Sequence, residues 1–162
     1  MRIHLAGNHE GHSLARDLET ALRARGHEVQ WHGAEKFEEG DDYPIYAVRV
    51  AQAVIADEDA GAPTAGLLVG RSGMGECIAA NKVHGARAVP GLTTELVAEA
   101  RRHADANILT LGEAFTNLDL ALSLVETFFT TQFGNTLDDA RRIVNTTEFE
   151  SSGTIEGWMM EH

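Results

Sequence analysis

The sequence predicts a Rossmann-like three-layer α/β/α sandwich on a five-stranded parallel sheet. Three observations carry this. Short apolar runs alternate with longer segments of helical period along most of the chain, the pattern of a parallel sheet covered on both faces. A length of 162 residues with 43% hydrophobic side chains suits one domain with a real core. Glycine-bearing segments follow the predicted strands, where ligands bind in such sheets.

Each element has its own signal. Ile3 to Gly7 reads as a first strand. Leu14, Leu18 and Leu22 then draw one apolar stripe on a helix that closes at Gly26. Glu28 to His32 reads as the second strand, and the acidic stretch from Gly33 to Asp42 as a loop. Pro44 sits in the first turn of a helix running to about Ile55, and a loop follows to Pro63. Thr64 to Val69 is the clearest buried strand. After the glycine-rich Gly70 to Gly75, Glu76 to Lys82 is helical. Ala86 to Val89, Thr93 to Ala104 and Asn107 to Leu111 continue as strand, helix and strand. Leu118 to Thr130 and Leu137 to Val144 are helical. The expected organisation is one domain over 1–144, with an acidic tail of little helical pattern over 145–162.

Composition excludes several classes. A net charge of −12 argues against nucleic acid and against anionic membrane surfaces, which select a basic face. No apolar run approaches the ~20 residues of a membrane span. The start of the chain lacks a signal-peptide core, and the single Cys77 cannot form an internal disulfide, so a cytoplasmic location is expected.

The chemistry concentrates in Gly70-Arg71-Ser72-Gly73-Met74-Gly75-Glu76, between a strand and a helix. Such a loop can turn its amides toward an anion, or it can be a tight turn with a capping residue. Its spacing fits neither a Walker loop nor a dinucleotide fingerprint. Glu76 is either a carboxylate favoured by the helix dipole or a general base facing a carbonyl compound. Asn8-His9 follows the first strand and His103 ends a helix; a lone histidine is more often structural than catalytic. The other six histidines read as surface residues. Cys77 reads as a small buried residue, and no metal motif is present.

The string Gly75-Glu76-Cys77-Ile78-Ala79-Ala80-Asn81-Lys82-Val83, with the preceding glycine loop, resembles the signature of type B ribose-5-phosphate isomerases, whose superfamily includes the galactose-6-phosphate isomerase subunits. Gly7-Asn8-His9-Glu10-Gly11, Asp42-Tyr43-Pro44, His103-Ala104-Asp105-Ala106-Asn107 and Arg141-Arg142 match in register, from Met1 to about Ile143. One branch of that family takes its base from a cysteine at the position of Gly70, the other from a glutamate at the position of Glu76; this chain resembles the second. The resemblance implies proton transfer between C1 and C2 of a sugar or sugar phosphate through a cis-enediolate, without metal or organic cofactor. It implies Glu76 as base, Ser72 beside the reacting carbons and His103 as the ring-opening residue. Gly70, Arg71, Gly73, Met74 and Gly75 form the loop around the substrate, and Asn8, His9, Tyr43 and Arg142 complete the pocket. It further implies a homodimer with shared active sites, with His103 and the terminal arginines crossing the interface, and leaves a tetramer open.

The departures point to altered substrate choice. Asn8 stands where the family has aspartate, Ala104 where it has asparagine, and Ala114 where it has arginine. Asp138-Asp139 replaces an Arg-His pair, so of the phosphate-binding arginines only Arg142 remains. Opposite unit charges ~4 Å apart attract by roughly 4 kcal/mol at an effective dielectric near 20. Turning arginine into aspartate therefore argues against an ordinary sugar-phosphate pocket. Arg71, where the family has glycine, is either a solvated loop residue or a replacement cation. Alternatives are ribose-5-phosphate isomerisation proper and a non-catalytic sugar-binding paralogue, against which the retained Glu76 weighs.

Overall fold

A strand buried on both faces has no polar side to show, and β3 (Thr64–Gly70) is such a strand, buried from Ala65 onward. The computed structural model describes residues 1–155 and places β3 at the centre of a parallel sheet ordered β2-β1-β3-β5-β4. The flanking strands are β1 (Arg2–Gly7), β2 (Glu28–Trp31), β4 (Ala88–Pro90) and β5 (Ile108–Gly112). Alternate side chains feed two cores. Ile3, Leu5, Leu67, Val69, Leu109 and Leu111 pack against α1 (His12–Ala24), α4 (Thr94–Ala104) and α5 (Leu118–Thr130). Ala6, Leu68 and Ile108 pack against α2 (Tyr43–Asp59) and α3 (Met74–Ala80). This is the expected Rossmann-like sandwich. The helix after β1 and the helix after β3 lie on opposite faces of adjacent strands, so a crevice opens between their carboxyl ends.

The last helix departs from expectation. α6 runs Leu137–Ser152, not Leu137 to Val144, so residues 145–152 belong to the helix rather than to a tail. It ends at Gly153, whose φ of 74° is the left-handed stop. The Glu150 carboxylate accepts from the Gly85 amide at 2.9 Å and ties this end to the loop before β4. The sequence signal for residues 145–152 is weak because their one large apolar residue, Phe149, is 56% exposed among the described residues, and Leu137 and Val144 earlier on the helix are 89% and 63% exposed. The rest of the expected tail, residues 156–162, lies outside the described residues.

A second correction concerns the histidines. His4 is buried in β1 rather than at the surface. Its Nε2 lies 2.9 Å from the Asp57 carboxylate and its Nδ1 2.8 Å from Nε2 of His32. Arg2 donates to Asp57 at 2.9 Å. Burial, with the neighbouring His4 and Arg49, lowers the His32 pKa from 6.5 to about 4. A folded-state pKa below the unfolded value means that the unfolded chain takes up the proton first on acidification. Stability is therefore complete above pH 6.5 and drains away as pH falls toward about 4. The His32 contribution to this loss is roughly 2 kcal/mol by pH 5, at about 1.4 kcal/mol per pKa unit. Urea midpoints between pH 7 and 5 should fall less steeply for His32→Asn than for the wild type; parallel slopes would refute the assignment.

Candidate active site

The crevice is built by three laced loops. Gly11 of the β1–α1 loop lies against the end of β3, where a side chain would run into the Val69 carbonyl. The Glu113 amide, after β5, donates to the Gly70 carbonyl at 2.9 Å, and the Ala114 amide to the Arg71 carbonyl at 3.1 Å. Gly73 caps α3 with a φ of 79°, a conformation that favours glycine, and the tight turn sends Glu76 back over the strand end.

Glu76 is only 5% exposed. Its carboxylate occupies the space that a Cβ on Gly70 would need. No salt bridge engages it among the described residues. Burial raises its pKa, the repulsion of Glu10 adds to this, and its own amide opposes it. A carboxylate shifted in this direction is a stronger base than a solvated one. Tyr43, at the start of α2, lies against Gly75, which has no side chain to hold the ring off. The Ser72 hydroxyl accepts from the Met74 amide at 3.3 Å. Met74 and Arg71 are exposed at the rim, and Arg71 has no ion-pair partner among the described residues.

Asn8 is buried, and its Oδ1 has no hydrogen-bond partner among the described residues. His9 is held by Asp41, whose Oδ1 accepts from the His9 amide at 2.7 Å and lies 3.0 Å from ring Nδ1. Tyr46 donates to the other Asp41 oxygen at 2.9 Å. The hydrogen bond to Asp41 raises the His9 pKa. Asp41 carries no sequence signal of its own, since nothing distinguishes it from Glu38 or Glu39 in an acidic loop.

Two of the expected residues are not in this crevice. α4 leaves the carboxyl edge of β4 and returns to the amino edge of β5, so His103, in its last turn, lies at the opposite end of the sheet from Glu76. Arg142 is with it, on α6, and both border an apolar groove with Arg87 and Ala104. The two acids expected to repel phosphate are both paired. Asp138 binds Arg141 at 3.1 Å. Asp139 lies 3.0 Å from His103 Nδ1 and 3.2 Å from Arg142. Cys77 is half-buried, its thiol donating to the Ala88 carbonyl at 3.3 Å. Among the described residues no three His, Cys, Asp or Glu side chains converge to hold a metal ion, and no helix is long and apolar enough to cross a membrane.

A switch-point crevice holding a buried, unpaired carboxylate over a glycine turn has the form of an α/β enzyme that handles protons. The comparisons identify the class. Residues 3–146 match the family model described as Ribose/Galactose Isomerase. The chain is 34% identical over 150 residues to ribose-5-phosphate isomerase B of Mycobacterium tuberculosis, covering 93% of this chain and 90% of that protein. It is 35% identical over 132 residues to the Escherichia coli protein of the same name, covering 82% and 85%. Its structure matches ribose-5-phosphate isomerase B of Clostridium thermocellum with a TM-score of 0.87 and 36% identity, over 95% of this chain and all of the other. It matches the Mycoplasma genitalium enzyme, solved with bound ribulose-5-phosphate, with a TM-score of 0.86 and 30% identity, over 93% and 97%. The chain belongs to the ribose/galactose isomerase family, a family of aldose–ketose isomerases.

Proposed function

We propose that this chain isomerises an aldose to a ketose, with Glu76 as the base that carries a proton between C2 and C1 through a cis-enediolate. The observation that carries the reading is the placement of Glu76: buried, without a salt bridge, with a raised pKa, and seated on the bare backbone of Gly70. The amides of the 70–75 loop would face the enediolate oxygens, and Ser72 the hydroxyl that passes its proton from O2 to O1. Asn8 offers a buried oxygen with an open valence to a sugar hydroxyl, and His9 and Tyr43 line the crevice.

His103 and Arg142 can serve this site only from a second copy of the chain, because the topology holds them at the far end of the sheet. A homodimer with shared sites answers this, and it would also cover the apolar residues left exposed on α6. His103 of the second copy would then open the sugar ring before the proton moves.

Altered substrate choice is supported by Ala114, which offers no cation, and by Arg141 and Arg142, each engaged by an aspartate. The same ion pairs offset much of the repulsion that the aspartates would otherwise exert. A second reading, ribose 5-phosphate as the substrate, is favoured by the names of the relatives and by Arg71, whose backbone is bonded to Ala114 and whose side chain has no ion-pair partner among the described residues. Solvent-deuterium incorporation into a panel of pentoses, hexoses and their phosphates decides between them. Exchange limited to unphosphorylated or differently substituted sugars supports the first, and rapid exchange into ribose 5-phosphate the second. No exchange into any sugar would overturn both and favour a binding protein.

A further inference from the structure

The pair formed by Asp139 and His103 joins α6 to the end of α4, and it involves a position that the sequence marked only as hostile to phosphate. The Asp139 carboxylate is 8% exposed, whereas the His103 ring is 49% exposed. Asp139 is therefore the fixed member and His103 the accessible one. Oδ2 of Asp139 lies 3.0 Å from His103 Nδ1 and accepts from the Thr136 hydroxyl at 2.8 Å. The Asp139 amide donates back to the Thr136 oxygen at 3.1 Å, so the carboxylate is locked into the first turn of α6. Oδ1 accepts from Arg142 at 3.2 Å. These contacts, the His103 hydrogen bond first, hold the Asp139 pKa below the usual carboxylate range. The charged groups facing the ring are Asp139 and Arg142 from α6 and Glu99 from its own helix, with Arg87 on the same groove. Glu99 lies 3.6 Å from Nε2, longer than a hydrogen bond, and both side chains are about half exposed (49% and 59%), so a ligand can take the place of Glu99 at Nε2.

We propose that Asp139 is a positioning residue that keeps the proton of neutral His103 on Nδ1 and so presents Nε2 as a proton acceptor to a cyclic sugar. The proposal rests on the reading that His103 serves ring opening. In that step Nε2 takes the proton of the anomeric hydroxyl. The bond between C1 and the ring oxygen breaks as the C1 carbonyl forms, and the ring oxygen receives a proton from the same nitrogen. Proton count and charge are conserved. A histidine with its proton on Nε2 cannot begin this step. An ionised carboxylate at Nδ1 excludes that tautomer, because it can only accept.

Asp139→Asn tests this, because Arg142 selects the orientation of the amide. Arg142 is a donor, so it retains the amide oxygen and turns the NH2 group toward His103 Nδ1, which drives the histidine proton to Nε2. The expected result is at least a tenfold fall in kcat with the cyclic sugar of the exchange panel that the wild type turns over fastest, ribose 5-phosphate included. Turnover of an aldotetrose 4-phosphate should be unchanged, since that sugar has no free hydroxyl able to close a five- or six-membered ring. ¹⁵N NMR of the His103 ring should show the proton moved from Nδ1 in the wild type to Nε2 in the variant. Equal losses on both sugars, or no loss on either, would overturn the proposal, as would an unchanged tautomer. His103→Ala is the control for the underlying reading. If it leaves the ratio of turnover on the cyclic sugar to turnover on the aldotetrose phosphate at its wild-type value, His103 has no part in ring opening and that reading fails, whatever the tautomer at Asp139→Asn.

Discussion

Replacing Glu76 by glutamine is expected to lower kcat for proton exchange by about 10²- to 10⁴-fold, the usual contribution of a positioned general base. The amide keeps the shape of the side chain and cannot take a proton from carbon. KM should change little, because a base acts on the moving proton rather than on holding the sugar. Stability should move the other way. Burial raises the Glu76 pKa above its unfolded value, so ionising it in the folded chain is unfavourable, and stability is lost as pH rises above the unfolded carboxylate range. Glutamine removes that term, so the variant should melt at or above the wild-type temperature at pH 7. Solvent-deuterium exchange together with a thermal melt checks both parts. A variant that exchanges at the wild-type rate excludes Glu76 as base, and one that is inactive but unfolded leaves exchange to be measured on Glu76→Asp.

The second large effect is expected at a residue with no functional group. Gly70→Ala would place a methyl group where the Glu76 carboxylate lies. The helix carrying Glu76 is fixed by its packing, so the carboxylate must swing away from the strand end. Loss of positioning of this kind can cost on the order of 10²-fold. Activity should fall at least that far while circular dichroism stays native, and a crystal structure of the variant should show the Glu76 side chain rotated out of the crevice. Full activity in Gly70→Ala would mean that the base does not need this seat.

Much of the architecture was legible because local signals agreed. α5 spans Leu118–Thr130 as expected, with Asn117 accepting from the Leu120 amide at its start and an apolar face formed by Ala121, Leu124, Val125 and Phe128. Boundaries slipped where charged residues find tertiary partners. α2 continues to Asp59, although Asp57 and Glu58 read as loop. Asp57 is bound by Arg2 and His4, and Glu58 accepts from Asn107 at 3.1 Å. His4 looked solvated for the same reason: the strand pattern around it is apolar, and its partners lie 28 and 53 residues away.

Glycine spacing, the run of apolar segments and the single glutamate after the loop determined the fold, the crevice and the candidate base, because each depends on neighbours along the chain. The tertiary structure decided what depends on approach between distant segments: that Glu76 rests on Gly70, that Asp41 holds His9, and that Asp139 faces His103 rather than solvent. It also separated His103 from Glu76, since the return path of α4 across the sheet fixes which edge its last turn reaches.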